Sequence, residues 1–191
     1  MPNNLNLPDR FGRFRRLTKS TPHTEAAFLL NRFAYRYRLA SDFKGIEAPN
    51  VGRTLVGYNI ILQLFLSYTA YEALVRAAWK LRIRELRDHS NNSVIDHPLA
   101  NALRLNVQLK DYLLKQKHND ETRKRIDAFY LGGHDDVLCI AFAVRNTFAH
   151  GDLTASTIGL NKKKHRESLS DLSRAVLSYC NDHFEQCIER L

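Results

Sequence analysis

Cysteine is scarce in this chain, acidic residues are outnumbered, and no stretch alternates like a β-strand. Each shortage removes a class of protein. The three cysteines, Cys139, Cys180 and Cys187, are odd in number and include no C-x-x-C pair. They fall in apolar helical patterns, which predicts buried free thiols in a reducing compartment and excludes a disulfide framework. Met1 is followed by a polar, proline-bearing segment without an apolar core. No secretory leader is therefore expected, and the predicted location is cytoplasmic. The longest uncharged run, Leu55–Tyr71, approaches the length of a membrane span. Within it Asn59, Gln63 and Ser67 recur every four residues, so it reads as a buried helix with a polar seam. A phosphate-cradling glycine loop, a G-x-S-x-G elbow and internal repeats are all missing. His23, His89, His97, His118, His134, His165 and His183 share no ligand spacing, so neither a metal site nor a cofactor is expected.

What is present suits one domain with an arm. The 191 residues are 44% hydrophobic, enough for a sizeable core. Lysine and arginine number 29 against 20 aspartates and glutamates, giving a net charge of +9. A basic balance favours polyanionic partners, and RNA foremost here. The competing explanation is charge that only keeps the protein in solution.

Residues 1–20 read as a basic N-terminal arm, and 21–191 as a single helical domain. In Arg10–Arg16 cations alternate with Phe11 and Phe14. Such a segment can stack on bases, or it can dock its phenylalanines on the domain and leave its arginines in water. Thr21-Pro22 predicts a helix start, with the helix running from about His23 to Leu39. The longest helix is expected over Thr54–Arg87. Its Glu72, Arg76 and Lys80 are four apart and share a face. Asp96-His97-Pro98 opens a helix with Leu99, Leu103, Val107 and Leu114 on its inner stripe. Lys115–Asp120 reads as a polar break, and a short helix follows that ends at Gly132-Gly133. Asp135 or Asp136 caps the next helix. A polar loop over 152–166 carries Lys162, Lys163, Lys164, His165 and Arg166. The last helix is capped by Ser168 or Ser170. The fold class is all-α, an up-and-down bundle of four to five long helices.

The chain's chemistry concentrates at Val144-Arg145-Asn146-Thr147-Phe148-Ala149-His150-Gly151. Asn146 and His150 are four apart and share a helix face. Arg145 lies off that face, and unwinding at Gly151 can bring it and His150 together. Histidine exchanges protons near neutral pH, and the arginine fork matches phosphate oxygens. RNA carries its own nucleophile, the 2′-hydroxyl, so an enzyme need only move protons and stabilise charge. One histidine cannot be base and acid in one step. A symmetric dimer would bring two copies of His150 into one cleft. Arg76, Lys162, Lys163, Lys164 and Arg166 are candidate phosphate contacts.

Arg145-Asn146-x-x-x-His150 resembles the R-x4–6-H signature of the HEPN superfamily, in which a polar residue often follows the arginine. Tyr71-Glu72 on the long helix is similar to an acidic position often found there. The resemblance implies a HEPN-like bundle that commonly dimerises, with Arg145, Asn146 and His150 as catalytic residues and Glu72 beside them. It further implies a metal-independent endoribonuclease of a phage-defence or toxin–antitoxin setting, with a neutralising protein partner. The alternative is a catalytically inactive HEPN-like module that binds RNA or a protein partner. A DNA-binding helical regulator is the weakest reading, because no helix-turn-helix signature accompanies it.

Overall fold

A computed structural model of the chain describes residues 8, 11–20, 24–49, 52, 54–83, 86 and 93–191. The described residues form eight helices: α1 (Phe11–Ser20), α2 (Glu25–Asp42), α3 (Thr54–Lys80), α4 (His97–Arg104), α5 (Val107–Lys115), α6 (Asp120–Tyr130), α7 (Leu138–Ala149) and α8 (Lys163–Glu189). Among them the only β feature is an isolated antiparallel bridge between Ile95 and Asp136. The all-α class is as expected. The subdivision is finer than four or five long helices: α3 and α8 run 27 residues each, and α4 only eight. No helix of the described residues is long and apolar enough to cross a membrane.

The residues group into two compact units. The first draws on Met1–Phe43, Leu66–Asn92 and Val176–Leu191. The supposed arm contains α1, whose Phe14 is 1% exposed. The Phe14 ring lies 5.9 Å from that of Phe184, and Phe33 of α2 approaches the same ring to 5.1 Å. Arg13, Arg15 and Arg16 stay exposed, with Arg13 only 3.7 Å from Glu185. Burying a phenylalanine is worth about 1.5–3 kcal/mol, and an exposed ion pair at most about 1 kcal/mol. Apolar burial therefore fixes α1, and the cations follow. Arg10, Thr21, Pro22 and His23 lie outside the described residues. The cap seen on α2 is Thr24, whose hydroxyl accepts from the Ala27 N–H at 3.1 Å.

The expected continuation of α3 to Arg87 is corrected: the helix stops at Lys80. Arg82 takes a left-handed φ of 57°. Its N–H reaches the Trp79 carbonyl and the Ile83 N–H reaches Ala78, closing the helix as a glycine terminator would. Buried Ile83 anchors this turn. Arg84 and Arg87 lie outside the described residues.

The second unit comprises Lys44–Phe65 and Ser93–Ala175. One helix was expected after Pro98, but two form. Asn106 breaks them, because its buried side chain accepts from the Leu109 N–H and donates to the Ile158 carbonyl. The inner residues of α5 are therefore Leu109 and Leu113, while Val107 is exposed. Helix α6 packs on α5 and α7. It ends at Gly132, with φ 79°, as the sequence indicated. The segment 152–162, expected as part of a polar loop, is a series of turns with Leu153, Ile158 and Leu160 buried. Helix α8 begins at Lys163, ahead of the expected Ser168 or Ser170.

Candidate active site

Helix α7 is held at its start by Asp136. Its Oδ1 accepts from the Leu138 and Val94 N–H groups, at 3.0 and 2.9 Å. Its Oδ2 meets Arg125 Nη2 at 2.7 Å. The N-cap position of α7 is Val137, which makes no side-chain cap bond, so neither aspartate expected to cap the helix occupies it; Asp136 acts from one residue earlier. Asp135 instead joins His97 and Arg104. Hydrogen bonds from His97 first and then from Arg104 hold the Asp135 carboxyl below the usual range, with burial opposing. The far end of α7 closes at His150, the C-cap residue. Gly151 follows with φ 80°, its N–H on Phe148 and the Asp152 N–H on Thr147. That pair of bonds satisfies two of the last carbonyls of the helix.

Asn146, Thr147 and His150 line a cleft of about 680 Å3 in the second unit. Across from α7, the cleft is lined by Tyr112 and Lys115 of α5 and by Lys117 and His118 of the following turn. The Tyr112 hydroxyl donates to the Asp152 carbonyl. Partial burial and then Asp152 push the Tyr112 pKa up, so this phenol stays protonated. His118 is half-buried, and its Nε2 donates to the Leu113 carbonyl at 3.0 Å. Burial first, and then Arg123, hold its pKa below the ordinary imidazole range, against the opposing pull of the Leu113 bond.

Arg145 is not among the residues lining this cleft. Its guanidinium sits over the Phe65 ring, 6.0 Å from the centroid. Its Nη1 donates to Asn146 Oδ1 at 2.8 Å. Helix α7 stays wound through Ala149, and Arg145 engages Asn146, its neighbour in sequence. With Oδ1 so engaged, the Asn146 amide nitrogen is presented as a donor.

The remaining candidates are dispersed. Glu72 and Arg76 belong to the first unit. There Lys80 pairs with Glu25 at 2.9 Å. Arg36 is held below its usual pKa by partial burial and by Arg32 and Arg76, with Glu72 opposing. Lys162, Lys163 and Lys164 are exposed, and Lys163 stands 3.6 Å from Glu167. Arg166 Nη1 instead donates to the Leu160 and Asn161 carbonyls, a structural role. None of the run Lys162–Arg166 lines the cleft that contains His150. Lys115 and Lys117 supply its cations instead. In the sequence their segment reads as a polar break, although Lys115-Gln116-Lys117-His118 is itself a basic cluster.

Among the described residues no group of three or more His, Cys, Asp and Glu side chains is placed to hold a metal ion. No protein-family profile, curated protein or solved structure matches the chain.

Proposed function

We propose that the chain is a metal-independent endoribonuclease of HEPN type that cleaves RNA by attack of the 2′-hydroxyl. The observation that carries the reading is the cleft on α7. It joins an exposed histidine, His150, to an amide, Asn146, anchored by Arg145, and to the cations of Lys115 and Lys117. Lysine ammonium groups at such a rim neutralise phosphates. The Asn146 amide donates to a phosphate oxygen, and Arg145 adds its charge through that amide. His150 moves a proton at the reacting oxygens. The net charge of +9 draws a polyanion to the surface.

The HEPN resemblance adds a homodimer, a toxin–antitoxin or phage-defence setting and a neutralising protein partner. A binding-only HEPN-like module is the second reading. It is favoured by one observation: the Arg145 guanidinium lies over Phe65 rather than in the cleft lining. End-group analysis separates the two. RNA incubated with the protein in EDTA should yield fragments with 2′,3′-cyclic phosphate and 5′-hydroxyl ends. Salt-sensitive binding with intact RNA would instead support the binding module.

A further inference from the structure

We propose that His118 is the general base of the cleft and His150 its general acid, so that a single chain carries both proton-transfer groups. The inference rests on the ribonuclease reading. It follows from two histidines, from the turn after α5 and from the C-cap of α7, lining the same cleft of about 680 Å3.

The tautomer of His118 is fixed by its surroundings. A carbonyl can only accept, so the 3.0 Å contact to Leu113 places the proton on Nε2. Nδ1 then carries the lone pair that a base requires. Partial burial and Arg123 favour the neutral ring. Tyr112 cannot replace it, since its hydroxyl is spent on the Asp152 carbonyl and its pKa is raised. Lys115 and Lys117 are exposed cations suited to phosphate contacts. His150 is exposed and can be reprotonated from solvent.

The step balances without a metal or a co-reactant. His118 Nδ1 takes the 2′-hydroxyl proton as the 2′-oxygen bonds to phosphorus. The bond from phosphorus to the 5′-oxygen breaks, and the His150 imidazolium gives that oxygen its proton. A 2′,3′-cyclic phosphate and a 5′-hydroxyl leave, and solvent exchange restores both rings. The second histidine, expected from a dimer partner, is then supplied by the same chain.

A leaving-group experiment tests the assignment. Full-length wild type, His118→Ala, His118→Gln and His150→Ala are compared in EDTA, with folding checked by circular dichroism. The substrates are a mixed-sequence RNA oligonucleotide and the nucleoside 3′-(4-nitrophenyl phosphates), whose leaving group needs no proton. Both His118 variants should lose about 10²–10⁴-fold on both substrates. His150→Ala should lose a similar factor on RNA and recover to within roughly tenfold of wild type on the nitrophenyl esters, because only acid catalysis becomes dispensable. A folded His118 variant that cleaves RNA at the wild-type rate, while His150→Ala does not, overturns the base assignment and leaves the ribonuclease reading standing. Recovery of the His118 variants on the nitrophenyl esters, with none for His150→Ala, reverses the roles and also overturns it. Intact RNA with wild type overturns both readings together.

Discussion

Replacing Asp136 by alanine removes three bonds at the root of the helix that carries the site. The carboxylate is nearly buried, with its side chain 7% exposed, and it accepts from Val94, Leu138 and Arg125. Breaking a fully buried ion pair costs about 3–5 kcal/mol. Arg125 is 29% exposed and can be rehydrated, which discounts that figure. Two backbone N–H groups are left without an acceptor, each costing about 1 kcal/mol or more. The expected loss is about 3 kcal/mol. At roughly 2–4 °C per kcal/mol for a chain of this size, Tm should fall by about 9 °C. Asp136→Asn keeps an Oδ1 for both N–H groups but puts an amide donor where Oδ2 accepted from Arg125, so that bond is lost and the partly exposed guanidinium turns to water. Its loss should be about 1 kcal/mol, or roughly 3 °C. Thermal melts followed by far-UV circular dichroism measure both. Equal losses for the two variants would refute the part given to Oδ1 as acceptor for the Val94 and Leu138 N–H groups. An Asp136→Ala melt within about 2 °C of wild type would refute the whole network.

Three further outcomes follow from the same geometry. Gly151→Ala forces a side chain into a φ of 80° and should cost about 1–2 kcal/mol, read as a lowered urea midpoint. Asn146→Ala cuts Arg145 off from the cleft. Loss of its charged hydrogen bond to Arg145, about 1.5–3 kcal/mol, should slow RNA cleavage roughly 10–100-fold in a variant that circular dichroism shows to be folded; wild-type rates would exclude a part for Arg145 acting through Asn146. Stability should also fall as the pH drops below the unfolded histidine value of about 6.5. Burial lowers the folded pKa of His165, with Lys162 and Lys164 adding to it and the Gly159 bond opposing, and burial does the same for His118. The folded state thus binds fewer protons, and stability present above that value is lost on the way down through the folded pKa. His165→Gln should flatten the Tm between pH 8 and 5.5, and an unchanged slope would contradict the assignment.

The elements that were legible in the sequence are those set by local chemistry. Gly132 and Gly151 end their helices because a left-handed residue is cheap there. The apolar spacing of Leu169, Leu172, Val176, Cys180, Phe184 and Cys187 marks a helix, and all six are buried in α8. The rest is decided by tertiary contacts. Nothing local indicates that Arg82 will adopt φ 57°. Asn106 splits one expected helix because its amide reaches Ile158, far along the chain. The basic run before α8 hides His165, which is 3% exposed and donates to the Gly159 carbonyl. The same holds for the site. Asn146 and His150 share a face by spacing alone, and both line the cleft. His118 lies 32 positions from His150 in sequence, and the packing of α6 on both α5 and α7 brings it into the cleft.

The most direct test is single-turnover cleavage of RNA in EDTA, with wild type and His150→Ala prepared side by side and both shown to be folded. The cleft described above predicts cleavage by wild type and a loss of at least about 10²-fold for the variant. Equal cleavage by the two would remove His150 from the chemistry. Intact RNA with both, alongside salt-sensitive binding, would make the cleft a place where RNA is held and not cut.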